Sequence, residues 1–154
     1  MQKYCFCVCL AILALVNASV FAEDSIQIRP QAGTGNLNSD KYQHVGLRLL
    51  FNAGIEKKYG LELTRVVTSK ADYIVAGIVL EQKKFGWFNM SIGTVGYFGQ
   101  DSVTPNQPGL ITNMGWEPDT PSAIKPSVTF RNDVIFAEKN EFGYSISAGL
   151  TVAY

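Results

Sequence analysis

Thiol chemistry is confined to the first nine residues of this chain: Cys5, Cys7 and Cys9 are its three cysteines, and nothing beyond them can form a disulfide or a thiolate metal site. Histidine is scarcer still, with His44 alone. Net charge is lacking too: thirteen basic residues meet thirteen acidic ones, scattered along the chain, so there is no basic footprint for nucleic acid. Also missing is an apolar run of the ~20 residues that a membrane helix needs. The nearest approach, residues 5–16, follows Lys3 and leads through Asn17, Ala18 and Ser19 to Val20-Phe21-Ala22, with small residues at the positions a signal peptidase reads. Residues 1–22 are therefore expected to be a cleaved signal peptide, leaving one domain over 23–154. No phosphate-binding glycine loop, HExxH motif or GxSxG elbow is found, and neither a cofactor nor a metal is expected.

What the chain has in quantity is alternation. Residues 144–154 set Tyr144, Ile146, Ala148, Leu150 and Val152 against Ser145, Ser147, Gly149, Thr151 and Ala153, the period of a strand with one greasy face and one small polar face. Seven earlier segments read as strands, at 25–33, 44–52, 59–66, 72–82, 86–98, 110–117 and 127–137. Between them lie a loop over 33–40, a turn over 54–58, a long loop over 99–109, a proline-rich turn over 118–126 and a tight turn at 138–141. Pro30 cannot donate a ladder hydrogen bond, so it weakens the first strand or marks a bulge near its end. Eight such strands predict an all-β, antiparallel up-and-down barrel.

Charged residues inside the strands decide which face is which. Arg48 at mid-strand would cost ~2–4 kcal/mol facing lipid near a bilayer midplane, whereas inside a polar lumen it can pair, with Glu62 as the obvious partner. The same parity turns Arg29, Arg48 and Arg131 inward against Glu62, Glu81 and Asp133. A barrel of about eight strands is just wide enough for its side chains, so this set predicts a cross-linked polar plug rather than a channel. Aromatics are expected to form two girdles, Phe51, Tyr59, Phe85, Trp87, Trp116 and Tyr154 at one rim and Tyr42, Tyr73, Phe98, Phe136, Phe142 and Tyr144 at the other. Arg65 falls on the lipid-facing parity, with its head near lipid phosphates, and Asn132 is the polar exception on that face. For catalysis the sequence offers one candidate constellation, His44 as base with Ser39 and Asp40 nearby, set against a rim histidine that touches only headgroups or water.

The signal ending Val20-Phe21-Ala22, the eight alternating segments and the last strand with its terminal aromatic together resemble the small bacterial outer-membrane barrels of the OmpA, OmpX and opacity-protein kind. In that family the pattern Tyr144, Ile146, Leu150, Val152 and Tyr154 would act as the sorting signal. The resemblance implies an eight-stranded transmembrane barrel in the Gram-negative outer membrane, exported through the periplasm and inserted by the barrel assembly machinery. Its partners would be outer-membrane lipid and lipopolysaccharide, and its role structural or surface interaction, as in envelope integrity or adhesion. A second resemblance is to lipid A deacylases, which would make the chain an acyl hydrolase. Those barrels use a histidine and a serine two positions apart on a late strand, where this chain has Arg131 and Asp133. A third arrangement, a soluble periplasmic barrel for an apolar ligand, requires the faces to be inverted.

Overall fold

The computed structural model describes residues 26–53, 56–84 and 87–154, the side chains of Lys83 and Lys84 set aside. The expected signal peptide over 1–22 and the girdle residue Phe85 lie outside the described residues. Eight strands follow one another: β1 (Ile26–Leu37), β2 (Asp40–Asn52), β3 (Lys57–Thr68), β4 (Asp72–Lys84), β5 (Phe88–Gly99), β6 (Gln107–Trp116), β7 (Ile124–Ile135) and β8 (Glu141–Ala153). Each pairs antiparallel with its sequence neighbours and β8 closes on β1, so every strand has two partners and no edge is open. There is no helix among the described residues.

Register fixes the geometry of the wall. From Ile26 the ladders lead through Phe51, Tyr59, Leu80, Ile92, Thr112, Asn132 and Tyr144 back to β1 at Asn36, ten residues beyond the start. A stagger of that size over eight strands tilts them by ~40° to the barrel axis. One outward row of side chains therefore climbs from the entry end, where β1 begins, to the far end.

The two faces are opposite in kind. Leu61, Leu63, Ile78, Leu80, Ile92 and Ile146 on the outside are each more than half exposed, whereas Arg29, Arg48, Glu62, Arg131 and Asp133 on the inside are exposed by no more than 3%. β4, apolar on both faces, resolves with Tyr73, Val75, Val79 and Glu81 inward and Ile78 and Leu80 outward, the parity that Gly77 and Glu81 suggest.

Element boundaries are where the sequence expectations need correction. The loop expected over 33–40 is strand except for a two-residue turn at Asn38 and Ser39, whose φ angles of 48° and 74° fit the mirror-image turn that matches strand twist. Gly33 and Gly35, turn signals in the sequence, are inward wall residues instead, and a Cβ on Gly35 would run into the Tyr144 carbonyl. The long loop expected over 99–109 shrinks to 100–106, because β6 already pairs at Gln107. Pro30 makes no bulge: the β1–β8 ladder skips Arg29 and Pro30 and resumes in the same register at Gln31 opposite Gly149, while the β1–β2 ladder runs through unbroken. β7 and β8 each begin three residues earlier than their alternation suggests, at Ile124 and Glu141. Pairing continues past the apolar pattern because a hairpin ladder needs backbone groups, not side-chain contrast.

Candidate functional site

Among the described residues, charged side chains converge in the lumen, and strand parity puts them there. At the entry end Arg29 forks onto Glu81, with 2.7 Å and 3.1 Å contacts, and reaches Glu117 at 3.3 Å and the Thr151 hydroxyl at 3.0 Å. Arg48 bridges upward: its Nε donates to Glu62 at 2.8 Å, its Nη1 donates to Ser91 at 3.2 Å and lies 3.6 Å from Glu81. Glu62 stands at the centre, accepting also from Arg131 at 2.6 Å and from the Thr64 hydroxyl at 2.7 Å. Arg131 in turn grips Asp133 through contacts of 2.8 to 3.0 Å. All six residues expected inside are therefore there, and Glu117, which the sequence reading missed, joins them from just past the end of β6.

Asp133 ends the ionic column and begins an aromatic one. It accepts from the Tyr42 hydroxyl at 2.7 Å and the Tyr97 hydroxyl at 2.5 Å. Tyr73 meets Tyr97 edge-on at 5.8 Å, and with Leu37, Val66, Val95 and Ile135 they belong to the buried apolar core of the lumen. Tyr42 and Tyr73 thus line the lumen instead of the outer girdle, 1% and 6% exposed. The reason is parity: Tyr42 shares a face with His44 and Arg48, and a tyrosine inside needs only an acceptor for its hydroxyl. Phe98, Phe136, Phe142 and Tyr144 do stand exposed toward the far end, and Tyr59 and Trp87 toward the entry end.

The candidate set of His44, Ser39 and Asp40 does not assemble. Ser39 is exposed at the tip of its turn, and the Asp40 carboxylate is 2.7 Å from Lys70. His44 is buried, facing the lumen, with Nε2 at 3.2 Å from the Ser145 hydroxyl. A serine and a histidine are thus adjacent after all, but Ser145 is itself tied to Tyr42 at 2.8 Å, and His44 Nδ1 has no hydrogen-bond partner among the described residues. Among the described residues His44 therefore lacks the orienting group that a catalytic base takes, and Ser145 is 1% exposed. Nor do three His, Cys, Asp or Glu side chains form a metal-ligand set among the described residues; the lumenal carboxylates are held by arginine.

On the outside, Arg65 is paired: Asp72 holds it with contacts of 3.0 and 2.5 Å, and its side chain is still 56% exposed. The far-end connections are short, at 38–39, 69–71, 100–106 and 136–140. Asp101 organises the longest of them, accepting from the Thr104 hydroxyl and from the N–H groups of Thr104 and Val103, which together hold its carboxyl below the usual range. Tyr144, Ile146 and Leu150 of the expected sorting pattern form an exposed outward row on β8, with Val152 and Tyr154 half-buried at its end.

No family model and no curated protein matches this chain. Among solved structures it is similar to the crystal structure of Neisserial surface protein A, with a TM-score of 0.66 at 12% identity over 84% of this chain and 97% of that one. It is also similar to a barrel from a de novo design of transmembrane β-barrels, with a TM-score of 0.55 at 7% identity over 88% and 100% of the two chains. At such identities what is shared is the fold, a closed eight-stranded antiparallel barrel of the kind that crosses membranes.

Proposed function

We propose that this chain is a small outer-membrane barrel with a structural, non-conducting role in the cell envelope. The observation that carries the reading is the inversion of its faces: a closed wall with leucine, isoleucine and phenylalanine outside and five nearly inaccessible ionic side chains inside. Water would penalise that exterior, and hydrocarbon would penalise any open sheet edge; a closed barrel in a bilayer satisfies both. Strands of 10 to 13 residues tilted by ~40° are long enough to cross. A soluble apolar-ligand carrier would need the opposite faces.

On this reading the entry end faces the periplasm and the far end the exterior. Residues 1–22 act as a cleaved export signal, the outward row ending at Tyr154 is read by the assembly machinery, and the wall contacts lipopolysaccharide in the outer leaflet. The solved neighbour is named a surface protein, which accords with a far end open to the outside. Short turns leave little for a loop-borne adhesin to present, and this favours envelope integrity over adhesion.

The test is paired. The refolded chain from Glu23 onward should partition into detergent micelles and lipid vesicles and shift on gels when unheated, yet give no stable conductance steps in a planar bilayer. Loss of the protein should leave cells more sensitive to detergent. A chain that stays monomeric in plain buffer contradicts the membrane assignment, and steady ohmic channels contradict the closed lumen.

A further inference from the structure

The outer wall is not uniformly convex. Between the row Leu80, Ile92, Thr112 and the row Gln82, Met90, Met114, a groove of about 650 Å³ runs obliquely across β4 to β7. Its walls are apolar and its methionines are pliable, a composition suited to a variable aliphatic guest. Its two ends are polar. Thr112 and Asn132 close the upper end and make no side-chain hydrogen bond among the described residues, while Lys57 lies at the lower end, exposed and with no ion-pair partner among them. One lysine thus stands where the groove opens at the entry end.

We propose that this groove is a lateral binding site for an anionic glycerophospholipid of the inner leaflet, its phosphate at the Lys57 rim and one acyl chain lying across the methionines. The proposal rests on the membrane reading above and adds the identity of one wall contact. Three things select this occupant. Strands lie ~4.8 Å apart, so the path from β4 to β7 is ~14 Å, the reach of a medium-length acyl chain and not of a headgroup. The positive charge of Lys57 at the rim complements a phosphate, and a basic side chain next to a membrane-spanning wall attracts anionic lipid. A second copy paired by a two-fold axis would press one concave face against another and leave the groove unfilled. A lipid entering from the opposite leaflet would place its phosphate far from Lys57.

Native mass spectrometry of the refolded chain in micelles tests this with phosphatidylglycerol and phosphatidylcholine of identical chains. Phosphatidylglycerol should be retained, one per barrel, with a preference of about five-fold or more, the effect of one lysine near an anionic phosphate. Lys57→Gln, a rim change that touches no packing, should reduce that preference about five-fold while leaving chain uptake intact. Met114→Trp, with its folding checked by the gel shift, should abolish retention of both lipids. Equal retention of the two lipids, an unchanged preference in Lys57→Gln, or a lipid-free dimer would overturn the proposal while leaving the membrane reading in place. A chain that never enters micelles would remove both.

Discussion

At the scale of single residues, Glu62 is the pivot of the lumen. It neutralises Arg48 and Arg131 at once while 2% exposed, so removing its charge leaves Arg48 with only the 3.6 Å approach to Glu81 and sets two buried guanidinium groups against one fewer carboxylate. Glu62→Gln should cost about 3–5 kcal/mol, read from urea unfolding in lipid vesicles. Ser145→Ala removes hydrogen bonds to Tyr42 and His44 but no charge, and should cost only about 1 kcal/mol by the same measurement. If the two cost the same, the ionic column is not what holds the lumen. Outside the barrel, Asp101 gives a pH prediction. Its carboxyl titrates below the ordinary aspartate range because Thr104 and Val103 donate to its ionised form, so the contribution is complete above that range and is lost as pH falls through the folded value. Amide signals of Val103 and Thr104 followed by NMR should move together below the usual aspartate midpoint, and Asp101→Asn should abolish that step. The lumenal ion-pair residues were legible from the sequence because a charge in an alternating strand has one tolerable side. Glu117 and the lumenal tyrosines were not: Glu117 follows the last residue of β6, and an aromatic near a strand end reads equally well as girdle or as plug.

At the scale of elements, the number of strands and the face of nearly every residue follow from period-two patterning, while the turns do not. Glycine signals both a turn and a wall position crowded by the neighbouring strand, and in β1 the second meaning holds at Gly33 and Gly35. Gly35→Ala should therefore disrupt the β1–β8 seam and prevent closure, seen as loss of the gel shift. The true turn carries Ser39 at a φ of 74°, where a side chain is strained. Ser39→Gly should stabilise the barrel by about 1 kcal/mol in unfolding experiments. A destabilised Ser39→Gly would mean that the turn is not the two-residue connection described.

The whole molecule is built on one asymmetry: oil outside, ions inside, in a sheet with no edge. The central claim is tested most directly by single cysteines placed in the cysteine-free chain from Glu23 onward, at the outward sites Leu63, Ile78 and Ile146 and at the inward sites Ser91 and Ser147. Each is spin-labelled in lipid vesicles and challenged with oxygen, which concentrates in the bilayer, and with a water-soluble nickel chelate. The three outward labels should collide with oxygen and be shielded from nickel, while the inward labels should be shielded from both. Outward labels that meet nickel as freely as in buffer, or inward labels that meet oxygen best, would contradict it.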